Sequence, residues 1–187
     1  MPITELDHTA ALVVIDLQKG VVGIEAAHPV PEIVARSRQL LDSFRAHHLP
    51  VVLVNVSGAP GGRTDAGRAT TAGYPDGWDE LIDDLDQHPS DHLVTKYSRG
   101  AFTNTGLHEK LAALGVTQVF VIGIATGSGV EATARQAHEY GYNVALVTDA
   151  MTDRSIDVHE HSVRAVFPRI AETGTTADVL ELLAARS

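Results

Sequence analysis

The hydrophobic pattern of this chain alternates between short apolar runs and longer stretches of helical periodicity. Apolar runs extend from Ala11 to Ile15, from Val51 to Val56 and from Val119 to Ile122. Short runs of this kind, bounded by polar residues or glycine, are typical of strands that are covered on both faces. A further short strand is predicted from His92 to Thr95. The pattern therefore predicts a buried and mostly parallel sheet.

The segments between the strands show the spacing of amphipathic helices. Downstream of Pro31, apolar or small residues recur every three or four positions, which predicts a helix that ends near His47. Thr175 and Asp178 form a capping-box pattern for a final helix. Further helical faces are predicted from these groups: Trp78, Leu81, Ile82 and Leu85; Leu107, Leu111 and Leu114; Ile156, Val163, Val166 and Phe167.

The stretch from Val119 to Asp149 contains the elements of a complete βαβ unit. A strand is followed by a glycine-rich turn over 123–129, a helix from Val130 to Tyr140 and a strand from Asn143 to Val147. We interpret Asp149 to Asp153 as another strand-to-helix turn. The whole pattern predicts an α/β fold, a three-layer, doubly wound, Rossmann-like and mostly parallel sheet of five to six strands. We expect one domain over residues 1–187.

Composition and charge restrict the function. With 44% hydrophobic and 20% charged residues, the chain is expected to be soluble and globular. A formal net charge of −10 argues against a nucleic-acid partner. Glu5 and Asp7 lie where a signal peptide would carry positive charge, and no apolar run is long enough for a membrane span, so a cytoplasmic location is expected. The absence of cysteine excludes a thiol nucleophile.

Three predicted strand ends carry the candidate chemistry. Asp16 follows the first strand, Lys96 follows the strand at His92, and the turn from Ala125 to Gly129 opens a helix. Adjacent strands would bring an acid, an amine and backbone N–H groups together, an arrangement that can move protons and hold an oxyanion. Each feature also has an ordinary structural explanation, as a turn residue, a solvent-facing lysine or a glycine needed for packing.

These motifs together resemble those of the isochorismatase-like hydrolases, which include nicotinamidases and other cysteine hydrolases. The similarity rests on ALVVIDLQ, TKYSRGAF and GIATGSGVEATARQAHEYGYNVALVTDA, which occur in the family's order. It implies an Asp, Lys and Cys triad in which Asp16 and Lys96 are present and Gly129 replaces the cysteine. It also implies a cis peptide between Ile124 and Ala125, and an oxyanion hole made by the N–H groups of Ala125 and Gly129.

The missing cysteine excludes the covalent mechanism of the family's cysteine hydrolases, because Gly129 has no side chain that could form an acyl-enzyme. Isochorismatases also lack this nucleophile, and the resemblance implies that Asp16 protonates the vinyl carbon of an enol ether while Lys96 orients it and neutralises a substrate carboxylate. Water then adds and pyruvate leaves. Neither a cofactor nor a catalytic metal is expected. A small-molecule substrate and a homo-oligomer, dimer or tetramer, are implied. Candidate substrate-binding residues are Gln18, Trp78, Arg99 and Ser128.

Several alternatives remain open. Ser128, Asp149 and either His159 or His161 have the chain order of an α/β-hydrolase triad, although the glycines of a nucleophile elbow are missing. The site could instead direct water at an amide, or belong to an inactive ligand-binding relative. The two histidines are predicted to lie on a partly exposed helix face. Within the loop from Ser57 to Gly77, Arg63 and Arg68 could bind a substrate carboxylate.

Overall fold

The fold is given by a computed structural model that describes residues 3–65, 67–68 and 74–186. The strands are β1 (Ala10–Ile15), β2 (Val51–Val56), β3 (Arg63–Thr64), β4 (Gly67–Arg68), β5 (His92–Lys96), β6 (Gln118–Ile124), β7 (Asn143–Thr152) and β8 (Glu172–Gly174). The α-helices are α1 (Lys19–Val22), α2 (Val30–Ala46), α3 (Leu107–Ala113), α4 (Glu131–Glu139), α5 (Ile156–His161) and α6 (Thr176–Ala184). None of the helices within these residues is both long and apolar enough to cross a membrane.

Six strands form one sheet in the order β5-β2-β1-β6-β7-β8, and every neighbouring pair is parallel. From the central β1 the chain proceeds outward to β2 and β5, and then returns to the other side of β1 for β6, β7 and β8. The predicted α/β class with a mostly parallel sheet of five to six strands is confirmed. In such a sheet the crevice at the carboxyl ends of β1 and β6, where the strand order reverses, is the usual ligand site.

Both faces of the sheet are buried, as the apolar runs predict. All six residues of β1 are buried, and they alternate between two hydrophobic clusters. Val13 and Ile15 pack with α3 and α4, while Leu12 and Val14 pack with α2 and α6. Fully burying an aliphatic side chain stabilises the fold by about 1.5–3 kcal/mol, so β1 anchors the residue that follows it.

Most of the predicted helices form. Helix α2 buries the face that the three- and four-residue spacing predicts, which consists of Ile33, Ser37, Leu40, Leu41 and Phe44. The capping box before α6 is present, with Thr175 and Asp178 exchanging hydrogen bonds. Three helical predictions are wrong. Leu114, predicted on the same face as Leu107 and Leu111, is 40% exposed and follows α3, which ends at Ala113. The segment from Trp78 to Leu85 forms only a 3₁₀ turn at Asp83–Leu85, and Ile156, predicted to be buried, is 44% exposed.

The strand predicted to end at Val147 continues to Thr152, so most of the predicted turn at Asp149 to Asp153 is strand. The pairing of β7 with β6 shifts in its middle, where Val121 pairs with Leu146 but Gly123 pairs with Met151. The irregularity lets β7 bend and continue beside the carboxyl end of β6. The extended β7 thereby brings Asp153 and Arg154 to the site.

Candidate active site

Asp16 lies immediately after β1 and takes a left-handed backbone conformation, with φ of 53°. Its N–H group donates to the carbonyl of Val54 at 2.9 Å. The neighbouring strand approaches closely here, because a Cβ atom on Gly123 would lie 2.1 Å from the carbonyl oxygen of Ile15. Glycine is therefore required at this contact, and the backbone of Asp16 is fixed on both sides.

Lys96, the last residue of β5, reaches over β2 to meet Asp16. Its Nζ atom donates to Asp16 Oδ2 at 2.7 Å and to the carbonyl of Ser98 at 3.3 Å. The prediction of adjacent strands is wrong for this pair, since β2 lies between β1 and β5. Strands lie about 4.8 Å apart, so a long side chain is needed to span the gap. The pair is buried, with Asp16 6% and Lys96 2% exposed.

The electrostatic balance favours a protonated form of Asp16 at mildly acidic pH. Burial raises the pKa of Asp16 to about 6, against the charge and hydrogen bond of Lys96, which lower it. Its second oxygen, Oδ1, is buried and makes no hydrogen bond with the described residues. A carboxyl group with this pKa can act as an acid or a base near neutral pH.

The turn after β6 forms the second wall of the site. The peptide between Ile124 and Ala125 is cis, as the resemblance implies. The carbonyl of Ala125 accepts from the N–H groups of Ser128 and Val130, at 3.0 and 3.2 Å. Residues Thr126–Val130 form a π-helical turn that leads into α4, so helical structure begins four residues earlier than predicted.

Gly129 lies against Asp16. A Cβ atom at this position would lie 2.9 Å from Ile15 Cγ2 and 3.1 Å from Asp16 Oδ2. Any side chain at residue 129 would therefore point at the acid. These distances are too short for a methyl group without displacement of its neighbours, so glycine lets the backbone of residue 129 lie directly against the carboxylate.

These groups line a cavity of about 530 Å³ at the carboxyl ends of the strands. Trp78 forms part of its wall, with its ring stacked on Tyr74 at a centroid distance of 4.0 Å. The indole lies so close to the backbone of Gly20 that a Cβ atom there would approach it to 2.1 Å. Trp78 therefore lies on the cavity wall rather than in the core, and its role in substrate binding stays a prediction.

The other predicted substrate-binding residues divide into two groups. Arg99 and Ser128 line the cavity, and Arg99 Nη1 donates to Ser128 Oγ at 2.7 Å. Gln18 does not line it, because its amide is fully buried and bonded to the backbone of Val56 and Trp78. The structure therefore assigns Gln18 to holding the wall together.

Asp153 and Arg154 were not recognised in the sequence as residues of the site, and His159 was proposed only for the alternative serine triad. Asp153 Oδ2 accepts from the N–H group of Gly127 at 2.8 Å, and thereby supports the turn from outside. Arg154 lines the cavity. His159, predicted on a partly exposed face, is only 8% exposed and is hydrogen-bonded to Thr126 Oγ1 at 2.8 Å. Burial and the neighbouring His28 lower the pKa of His159.

The alternative serine triad is not assembled. His159 bonds to Thr126 rather than to Ser128, and Asp149 Oδ1 accepts from the N–H and hydroxyl groups of Thr176. Among the described residues no cluster of three or more His, Asp or Glu side chains is arranged to hold a metal ion. Arg63 is exposed and is not among the lining residues, and the side chain of Arg68 lies outside the described part of the chain.

Comparison with known proteins relates this geometry to one family. The model of the isochorismatase domain matches residues 10–178. The isochorismatase family protein YwoC from Bacillus subtilis (strain 168) is 38% identical over 177 residues, which cover 91% of this chain and 92% of that protein. Streptothricin hydrolase from Streptomyces noursei is 35% identical over 167 residues, covering 87% and 58% respectively. The structure of an isochorismatase family protein from Burkholderia thailandensis superimposes with a TM-score of 0.92 at 36% identity, covering 97% of this chain and 98% of that one.

Proposed function

We propose, from the premise that this chain belongs to the isochorismatase family of hydrolases, that it cleaves an enol ether or a related bond of a small carboxylated metabolite without a covalent intermediate. The observation that carries the proposal is the buried contact of 2.7 Å between Lys96 Nζ and Asp16 Oδ2, which lies beside a glycine. The acid and amine are present, and the described residues place no nucleophilic side chain at Gly129.

Asp16 acts as the general acid in this proposal. With a pKa of about 6, about one Asp16 in ten is protonated at pH 7. The proton moves from the carboxyl group to the vinyl carbon, which leaves a cationic centre stabilised by the ether oxygen. The carboxylate that forms is stabilised by Lys96, which already donates to it. The pair therefore favours the charge distribution that proton transfer creates.

Water completes the reaction from the cavity that Asp16 and Gly129 line. It adds to the cationic carbon and gives a proton back to the Asp16 carboxylate, which restores the acid. As the C–O bond of the resulting hemiketal breaks, the proton of its hydroxyl group passes to the departing oxygen, so that an alcohol and a ketone leave. The N–H groups of Ala125 and Gly129, on the turn that lines the cavity, stabilise negative charge on the departing oxygen.

A second candidate is hydrolysis of an amide by water, with Asp16 as general base. The similarity to the N-carbamoylsarcosine amidase from Thermoplasma acidophilum, whose structure superimposes with a TM-score of 0.74 at 26% identity, favours this class. Attack of water on the amide carbon would place an oxyanion at the same turn. The two candidates differ in the protonation state that Asp16 needs, because an acid must begin protonated and a base must not.

The experiment is a screen of enol ethers of pyruvate, simple amides and esters, run with wild-type protein, Asp16→Asn and Asp84→Asn. Asp84→Asn is the matched control, since this exposed carboxylate does not line the cavity. We expect enol-ether cleavage that falls at least 100-fold in Asp16→Asn and is unchanged in the control. Amide cleavage in its place would select the second candidate. Binding without turnover of any compound would identify an inactive ligand-binding relative.

A further inference from the structure

We propose that Arg154 is a specificity-determining residue, which binds the anionic group of the substrate and selects charged molecules over neutral ones of the same shape. This inference rests on the proposed function, in which the substrate is a small carboxylated metabolite. It assigns the recognition of that carboxylate to a residue beyond the Asp16 and Lys96 pair.

The balance of charge in the cavity favours an anionic ligand. Among the described residues that line it, Lys96, Arg99 and Arg154 are cationic, and Asp16 alone is acidic. One of the three positive charges is matched by Asp16. The remaining excess of positive charge attracts anions and disfavours cations.

The three cations are not equally available to a ligand. Lys96 is 2% exposed and donates to Asp16 and to the carbonyl of Ser98. Arg99 donates to the Ser128 hydroxyl. Arg154 is an exposed residue, and its side chain forms neither an ion pair nor a hydrogen bond with the described residues; its one hydrogen bond is made by its backbone N–H group. Its five donors can therefore meet a carboxylate bidentately without first breaking a protein contact.

One carboxylate, that of Asp153, is hydrogen-bonded both to the backbone of Arg154 and to the turn over 125–129. Asp153 Oδ1 accepts from the N–H group of Arg154, and Oδ2 accepts from the N–H group of Gly127, each at 2.8 Å. Asp153 is itself 8% exposed, and its carbonyl accepts from Ala27. One carboxylate thus fixes both the turn that carries Gly129 and the start of the side chain proposed to hold the substrate.

The probes are cyclohexanecarboxylate and cyclohexyl methyl ketone, which have similar shapes and differ in charge. Calorimetric titration gives their affinities, and the fluorescence of Trp78, the one tryptophan of the chain, reports whether they enter this cavity. The wild-type protein is compared with Arg154→Ala, Arg154→Lys and Arg99→Ala. Arg169→Ala is the matched control, because this exposed arginine does not line the cavity.

We expect wild-type protein to prefer the carboxylate by about tenfold or more, as a charge-assisted hydrogen bond allows. Arg154→Ala should lose that preference, Arg154→Lys should retain part of it, and Arg169→Ala should match wild type. An unchanged preference in Arg154→Ala, its loss in Arg99→Ala alone, or no preference in the wild type would overturn the proposal. The titration needs no turnover and can be repeated in Asp16→Asn, so failure of the proposed hydrolysis would leave this result interpretable.

Discussion

Lys96 Nζ lies 2.7 Å from Asp16 Oδ2, although 80 residues and a whole strand separate the two. The contact forms because β1 and β5 end at the same edge of a parallel sheet, and because lysine is long enough to cross β2. Removing two charges from water is costly, so a buried pair of this kind is weak evidence for stability. Its position beside Gly129 in the cavity is the reason that we propose a chemical role for it.

The first prediction concerns the pH dependence of turnover. If Asp16 is the general acid, with its pKa raised by burial to about 6, kcat/KM should fall about tenfold for each pH unit above that value. A rise through the same region would mean that Asp16 acts as a base, as the water-directed amidase requires. Initial rates from pH 5 to 8 on the substrate found in the screen decide between these outcomes.

The second prediction is the effect of Lys96→Met. The charge and hydrogen bond of Lys96 lower the pKa of Asp16, so removing both should move the inflection of the rate profile to higher pH. Turnover should also fall, because the carboxylate that forms loses its counter-charge. Lys110→Met, on α3, is the control and should leave the profile unchanged. An inflection that stays in place would show that Lys96 does not act through Asp16.

The third prediction concerns stability. The folded pKa of Asp16 is raised to about 6 from 3.8, so the folded state binds more protons than the unfolded state between these values. The contribution of Asp16 is fully present below pH 3.8 and is lost as the pH rises through 6. The free energy of unfolding should thus lose about 3 kcal/mol from this group, at about 1.4 kcal/mol per pH unit. Urea titrations of wild type and Asp16→Asn should diverge across this range, and parallel curves would contradict the assignment.

Much of the fold follows from local pattern. The apolar runs that become β1 and β2 do not alternate between apolar and polar residues. This pattern predicts that helices cover both faces of the sheet at these strands. The strand ends then place Asp16, Lys96 and Gly129 at one edge. The sequence pattern alone does not predict the order of the strands, because that order depends on how the helices pack. In the observed order β2 lies between β1 and β5, so Lys96 must reach across β2.

The parts that sequence reasoning missed depend on tertiary contacts. The segment at Trp78 has helical spacing, but the indole packs on Gly20 and Leu81 pairs with Gln18, and these contacts replace the helix. Asp153 and Arg154 follow a register shift in β7, where the four residues from Val147 to Ala150 lie between the partners of Val121 and Gly123 of β6. A register shift of this kind leaves no periodic signal in the sequence.

The fourth prediction tests the close contact between the backbone of Gly129 and Asp16. In Gly129→Ala the new Cβ atom would meet Ile15 Cγ2 at 2.9 Å and Asp16 Oδ2 at 3.1 Å. Overpacking of this kind costs about 1–3 kcal/mol, and relieving it would displace the Asp16 carboxylate from its place beside Lys96. We expect a lower melting temperature and at least a tenfold loss of kcat. Gly23→Ala is the control, because nothing lies within 4 Å of its Cβ position. Equal changes of melting temperature and kcat in the two variants would show that the close contact at residue 129 matters for neither stability nor turnover.

The fifth prediction separates support of the turn from proton transfer. Asp153→Ala removes the acceptor for the Gly127 N–H group, and a donor left without its partner costs about 1–3 kcal/mol. If the turn must be rigid to hold the departing oxygen, kcat should fall about tenfold or more, and Asp153→Asn, which keeps an acceptor oxygen, should lie between. The inflection near pH 6 should not move, because Asp153 does not contact Asp16. A shifted inflection would mean that Asp153 acts on the charge of the acid, and full activity in Asp153→Ala would mean that the turn keeps its geometry without this carboxylate.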